Sequence, residues 1–177
     1  MTVVVIGPHG VGKSTVGRRL ARALGVPFHD EVGERLARAT RPATATAGDP
    51  QEALDEAIFA AEFARDLAAG EAPRVVETWH PGNLAYAAAR SPRVAEAWLP
   101  RLRGALGQAI CVPLRASPAT LAARRHEPGD PAFFLAVGLA AEAWARSLGL
   151  PCTPPVHTDR GSPEDVVRAA IAHLESR

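Results

Sequence analysis

Eight residues near the start of the chain, Gly7-Pro8-His9-Gly10-Val11-Gly12-Lys13-Ser14, carry the most specific chemistry in the sequence. They match the spacing G-x-x-x-x-G-K-[ST], whose glycines let successive backbone N–H groups curl around a phosphate without Cβ clashes. A lysine there is a compact point charge that reaches terminal phosphates, whereas the longer, planar arginine fork would misplace its charge. The adjacent hydroxyl suits Mg²⁺. Composition sharpens the reading: of 20 basic residues 19 are arginine, and the single lysine is Lys13. With 36 alanines among 177 residues, both biases look like a GC-rich coding background that pushes exposed Lys toward Arg. A lysine retained against that bias marks a place where arginine fails.

The elements around these residues follow from their patterns. Thr2 to Ile6 is mostly β-branched and leads into the glycines, so it reads as a strand buried on both faces. Lys13 to Leu24 has helical spacing with Val16, Leu20 and Leu24 on one stripe, and Gly25 ends it. The loop therefore lies between a strand and a helix, the context its motif requires. Val26 to Asp30 is a weak second strand, and Glu31 to Ala39 a helix. Thr40 to Pro50 reads as a loop. Gln51 to Ala69 is a long helix with Leu54, Ile58, Phe63 and Leu67 as core candidates. Arg74 to Glu77 is a third strand with an acid at its C-terminal end. Helices are expected at 83–89 and 93–106, and a fourth strand at 109–114. A helix at 118–125 comes next, then a polar break at 126–131 and a helix at 132–148. A fifth strand at 155–158 precedes a helix capped by Ser162, with Pro163, Glu164 and Asp165 in its first turn. Alternation of strands and helices implies an α/β fold with a parallel sheet covered on both faces. No repeat or linker is visible, so 1–177 reads as one domain.

Composition excludes several classes. The net charge is +1, which gives no electrostatic reason to expect a nucleic acid polymer or an anionic membrane as partner. There is no run of 18 apolar residues and no signal-peptide pattern, so a cytoplasmic protein is expected. Cys111 and Cys152 have no metal-ligand spacing and read as two reduced thiols.

Gly7 to Thr15 resembles the Walker A loop of P-loop nucleotide-binding proteins, and Gly17 to Gly25 is similar to the segment after that loop in small-molecule and nucleotide kinases. The resemblance implies a three-layer α/β/α kinase fold with a five-stranded parallel sheet. It also implies ATP with Mg²⁺ as cofactors, held by Gly7, His9, Gly10, Val11, Gly12, Lys13, Ser14 and Thr15. The guanine-reading N-K-x-D motif of GTP switches needs a second lysine and is absent. The third strand ends in Glu77 rather than the Asp-Glu pair of motor-type ATPases. Val76 to Tyr86 resembles thymidylate kinase, where a strand ends in D-R-Y. Glu77 takes the Asp place, as in deoxynucleoside kinases, and Thr78 the Arg place. Since that Arg helps hold an acceptor phosphate, Thr78 favours a hydroxyl over a monophosphate acceptor. Glu77 has two open roles: base toward a hydroxyl, or partner of Mg²⁺ alongside Ser14. Arg124 and Arg125 look like arginines of a short lid around 124–132, where a cation would neutralise the transferring phosphoryl group. Leu24 to Asp30 with Glu34-Arg35-Leu36 is similar to shikimate kinase, and there Asp30 would meet the substrate hydroxyl. Trp79, His80 and Tyr86 are candidates for an acceptor pocket or for aromatic packing.

The reading is an ATP-dependent phosphotransferase acting on a small molecule, with a nucleoside or nucleotide as first choice of acceptor. A shikimate-type kinase acting on a metabolite hydroxyl is the alternative. A regulatory module that binds nucleotide without an acceptor is the reading from another class. The oligomeric state, a homodimer included, is left open by the sequence.

Overall fold

The computed structural model describes residues 1–39, 49–103, 106–124 and 130–176. The β-branched run forms β1 (Thr2–Ile6), buried at every position. It is followed by α1 (Lys13–Leu24), β2 (Phe28–His29), α2 (Val32–Ala39), α3 (Pro50–Ala69) and β3 (Arg74–Glu77). Then come α4 (Trp79–Arg90), α5 (Pro92–Arg103), β4 (Ala109–Arg115), α6 (Pro118–Arg124), α7 (Pro131–Ser147), β5 (Val156–His157) and α8 (Pro163–Glu175). Five of these helices open on proline, whose fixed φ and missing N–H suit the first helical position. Asp49 and Asp130 cap α3 and α7 by accepting from the N–H groups of Gln51 and Ala132. Ser162 and Asp165 form a reciprocal capping box at α8.

The strands make one sheet in the order β2-β3-β1-β4-β5, with every pairing parallel. β1 lies between β3 and β4, with Val5 opposite Glu77 on one side and Val112 on the other. Alternate residues of the apolar strands feed two cores. Val4, Ile6, Val76 and Cys111 pack with Phe59, Leu84, Trp98 and Val137 from α3, α4, α5 and α7. Val3, Val5, Val75 and Val112 pack with Val16, Leu20, Val166 and Ala170 from α1 and α8. The result is the three-layer α/β/α arrangement with five parallel strands.

Three details differ from the sequence reading. α4 begins at Trp79 rather than Asn83, because Pro81 falls in its first turn, where its missing N–H has no helical partner to lose. Leu67 is 72% exposed. At the end of α3 the inward position goes to Asp66, which meets Arg74, Trp79 and His80. Leu24 is also exposed, since α1 stops there at a left-handed Gly25 and Val26 takes over the cover of the core. Residues 40–48 of the expected loop, and Arg125 with 126–129 of the expected lid, lie outside the described residues. Among the described residues no helix is long and apolar enough to cross a membrane.

Candidate active site

The loop between β1 and α1 turns through three glycines at positive φ, Gly7 (146°), Gly10 (78°) and Gly12 (97°). Gly7 has a second constraint: a Cβ there would stand 2.7 Å from the carbonyl oxygen of Leu114 on the neighbouring strand. Val11 is fully buried and anchors the loop in the core below α1. Gly12 is the N-cap of α1, with no side-chain cap and no acidic residue in the first turn. The first N–H groups of α1 are thus left for an outside anion, at the end of the helix where partial positive charge gathers. Lys13 is 8% exposed, and its ammonium reaches back across the loop toward the Pro8 carbonyl at 3.5 Å. Thr15 is exposed on α1.

Glu77, at the end of β3, faces α1. Its carboxylate accepts from the Ser14 hydroxyl at 3.0 Å. Burial pushes its carboxyl up from the ordinary value, Lys13 opposes that shift, and Glu31 adds to it. A hydroxyl and a carboxylate joined beside a lysine and an uncapped helix are hard oxygen donors suited to Mg²⁺ accompanying a polyphosphate. ATP and Mg²⁺ therefore fit the residues present. The chain then reverses through two non-glycine residues at positive φ, Thr78 (66°) and Trp79 (49°). The Thr78 hydroxyl donates to Glu31 at 2.7 Å.

Next to the loop is a cavity of about 350 Å³ between α2, α3, α4 and α7. Its polar wall is Glu31, Glu34, Asp55, Asn83 and Arg90, and its apolar wall includes Leu54, Ile58, Phe59, Tyr86 and Phe134. His9 of the loop belongs to the same wall, with its ring 4.7 Å from that of Phe134 and 6.4 Å from that of Tyr86. Lys13, Thr78 and Gly82 border a small gap together with Tyr86, which also lines the cavity. Phosphate loop, carboxylates and cavity thus meet at the carboxyl edge of the strands, where open α/β sheets bind ligands.

The structure brings Lys13, Ser14, Glu77 and His9 together and leaves Asp30 aside. Asp30 is exposed, is not part of the cavity wall, and meets Arg65 only through its backbone carbonyl at 2.9 Å. Glu31 lines the cavity in its place, a residue the sequence reading missed. Its signal was an acid next to the expected one, at a strand end whose register a two-residue strand does not reveal. Arg124 ends α6 with its Cβ 3.7 Å from where a Gly10 Cβ would be, and its guanidinium donates to the hydroxyl and carbonyl of Thr158, both at 3.1 Å. Tyr86 reaches the cavity, whereas Trp79 and His80 do not. Both are buried and bind Asp66, Trp79 through its indole N–H at 3.0 Å and His80 through Nε2 at 2.8 Å. Burial acts to raise the Asp66 carboxyl, but His80, Trp79 and Arg74 outweigh it and hold it below the usual carboxylate range.

Known proteins are similar to this chain in part of its sequence or in its fold. A shikimate kinase from Caulobacter vibrioides is 58% identical over 40 residues, which are 23% of this chain and 20% of that protein. The match thus spans a fifth of that relative's length. The structure of a deoxyadenosine kinase from M. mycoides, bound to dCMP and dCDP, superposes with a TM-score of 0.70 over all of both chains, at 12% identity. A gluconokinase from Sinorhizobium meliloti superposes with a TM-score of 0.54 at 24% identity, over 99% of this chain and 91% of that one. These likenesses show the fold. The profile of a family described as an AAA domain matches residues 2–108, from β1 through the phosphate loop and β3 to the start of β4. Since that stretch is well over half of the sequence, the chain belongs to the AAA domain family.

Proposed function

We propose that the chain is an ATP-dependent kinase that transfers the γ-phosphoryl group to a hydroxyl of a small molecule, with a nucleoside as first choice of acceptor. The observation that carries this reading is the cavity of about 350 Å³ that shares His9 with the phosphate loop. A nucleotide-binding switch needs the loop, but a phosphotransferase also needs room for a second substrate beside it, and ~300 Å³ is enough for a small ring-bearing molecule. The names of the relatives and neighbours, kinases of shikimate, deoxyadenosine and gluconate, support the reaction class and differ in acceptor.

In this reading the loop N–H groups, α1 and Lys13 hold the β- and γ-phosphates. Ser14 and Glu77 would hold Mg²⁺, whose charge would offset that of the phosphates. Glu31 faces the acceptor and serves as the base toward its hydroxyl, a role the sequence suggested for Glu77, with Asp30 as the contact of a shikimate-type acceptor. Arg124, released from Thr158, neutralises the transferring group, and Arg125 is a second candidate for that role. Positioning and electrostatics carry most of such a reaction, because its transition state is loose. Thr78 supports a hydroxyl rather than a monophosphate acceptor: it places an uncharged residue, already bound to Glu31, where a phosphate would need a cation.

The test is transfer of label from γ-labelled ATP to a panel of nucleosides, nucleoside monophosphates, shikimate and gluconate, with products identified by mass. Acceptor-dependent label transfer is expected. ATP binding with no transfer to any acceptor would replace the kinase reading with the regulatory one. Two variants divide the carboxylates. Glu31→Gln should slow transfer by roughly 10²–10⁴-fold with ADP affinity unchanged, whereas Glu77→Gln should raise the Mg²⁺ concentration needed for half-maximal rate. Equal Mg²⁺ dependence in both variants would refute the division.

A further inference from the structure

The polar wall of the cavity is rich in acid. Among the described residues it holds the carboxylates of Glu31, Glu34 and Asp55 and one guanidinium, that of Arg90. Arg90 is committed to Asp55: its Nε donates to both carboxylate oxygens at 3.2 and 3.1 Å and its Nη2 to one of them at 2.6 Å. Its guanidinium also lies 5.1 Å from the centre of the Tyr86 ring, so a ring face and a carboxylate already share its charge. The Thr78 hydroxyl that binds one oxygen of Glu31 is neutral and leaves that carboxylate its charge. With Asp55 and Arg90 cancelling, Glu31 gives the space a negative character, in a setting where low polarity strengthens each charge. Lys13 and the N-terminus of α1 belong to the phosphate loop and not to the cavity wall.

An independent observation points to a ligand. Asn83 is 6% exposed, borders the cavity, and its amide Nδ2 has no hydrogen-bond partner. A buried donor left unpaired costs about 1–3 kcal/mol, and a small turn of this side chain toward the cavity would offer it to an acceptor atom of a ligand. Among its groups the wall offers the Asn83 amide as a donor, the Glu31 carboxylate as an acceptor, and aromatic faces from Tyr86, Phe59 and Phe134. A neutral ring carrying hydroxyl and carbonyl or ring-nitrogen groups satisfies all three. A carboxylate or phosphate on the acceptor would lie against Glu31, and the one cation among the described wall residues is already held by Asp55.

We infer that this cavity takes an uncharged or positively charged ring-bearing alcohol and rejects acceptors that carry a carboxylate or a phosphate. The inference rests on the reading of the cavity as an acceptor site, and it departs from the anionic substrates named for two of the similar proteins, shikimate and gluconate.

The experiment measures binding to the full chain loaded with ADP and Mg²⁺, by calorimetry, for matched ligands that differ in charge. The sets are shikimate against methyl shikimate, gluconate against glucose and glucosamine, and deoxyadenosine against its 5′-monophosphate. The uncharged or cationic member of a set should bind more tightly by roughly tenfold or more. A tighter anionic member in any set, or failure of every uncharged and cationic ligand to bind, overturns the inference. Asp55→Asn should free Arg90 and narrow the ratio by roughly tenfold. Because Asp55 is buried and this variant can lose the fold, Glu31→Gln serves as the second. It removes a negative charge from a half-buried side chain and should narrow the same ratio severalfold, and an unchanged ratio in a folded variant counts against the inference. Binding that sorts by charge without any label transfer would leave the charge class standing and remove the kinase reading. Label transfer to an anion in preference to its neutral partner would do the reverse.

Discussion

Gly138 sits in the middle of α7, where helix propensity alone says that alanine is better by about 1 kcal/mol. The structure reverses that sign. A Cβ on Gly138 would lie 2.3 Å from Pro8 Cα, 2.4 Å from Pro8 N and 2.9 Å from Gly7 C. Carbon atoms in contact prefer about 3.5–4.0 Å, so helix and loop would have to part by more than about 1 Å. All three atoms are backbone of the phosphate loop, and no rotamer change relieves the clash. Overpacking of this kind costs about 1–3 kcal/mol, and it more than cancels the propensity gain. For a chain of this length each kcal/mol corresponds to about 2–4 °C, so Gly138→Ala should lower Tm by several degrees. The displaced atoms also form the phosphate cradle, and a shift of ~1 Å in such a cradle costs up to 10²-fold in function. Nucleotide affinity should therefore fall by at least about tenfold. Thermal unfolding and ADP–Mg²⁺ titration read the two effects separately. Gly33→Ala in α2 is the control, because a Cβ there meets only side-chain ends at 3.4 and 3.5 Å, and its Tm should hold or rise. A Gly138→Ala protein with an unchanged or higher Tm and unchanged ADP affinity would refute the claim that α7 braces the loop.

Lys13→Arg should reduce kcat to near background, because the side chain is confined below the loop and a fork cannot replace a point charge there; near-normal kcat would undo the argument from the lone lysine. Arg124→Ala should lower kcat by more than about tenfold with little change in ADP affinity, since its guanidinium is bonded to Thr158 rather than to the loop; normal turnover would remove it from the site. Burial pushes the Glu62 carboxyl up from 4.5 to about 7 despite its pairing with Arg65. A folded-state pKa above the unfolded one gives stability that is complete below pH ~4 and is lost as pH rises through about 7. Glu62→Gln lacks that loss and should gain on the wild type by about 1–3 kcal/mol between pH 5 and pH 8 in urea unfolding; a pH-independent difference would show that Arg65 compensates the charge fully.

The phosphate loop was legible because its chemistry is local: glycines, lysine and hydroxyl lie within eight residues, between a β-branched strand and a helix. The sheet was legible because each strand is a short apolar run and both faces are covered. Glu31 was not, since its role depends on the phase at which α2 leaves β2, and β2 has only two residues to set that phase. The sequence offered Asp30 and Glu31 side by side, and only tertiary packing turned the second inward. Trp79 and His80, close after Glu77, fit a pocket and aromatic packing equally well in sequence. Their partner Asp66 is thirteen and fourteen residues earlier in α3, a separation that no periodicity reports. Leu67 failed as a core candidate for the same reason, because the network at Asp66 claims the inward face of that turn.

That network also accounts for the backbone at Thr78 and Trp79. Two consecutive non-glycine residues at positive φ cost of order 1–3 kcal/mol each, and they persist only where the surroundings over-determine them. Here Thr78 N–H is held by the Val5 carbonyl at 3.0 Å and its hydroxyl by Glu31, while its carbonyl accepts from Gly82 N–H at 3.1 Å. Gly82 has no Cβ because the Thr78 methyl occupies that space, only 2.3 Å from where one would be. Trp79 and His80 are fixed from below by one carboxylate, with burial holding His80 below its usual pKa so that the neutral ring donates from Nε2. The gain is a strand that passes into a helix with no connecting loop. Glu77 ends the strand beside Ser14, and Asn83 stands in the first turns of the helix at the cavity. Any relaxation of the turn would shift the Glu77 carboxylate beside the loop relative to the Asn83 amide at the cavity. If the chain is the kinase proposed above, this turn fixes the separation of its two binding surfaces, as in-line transfer between two substrates requires.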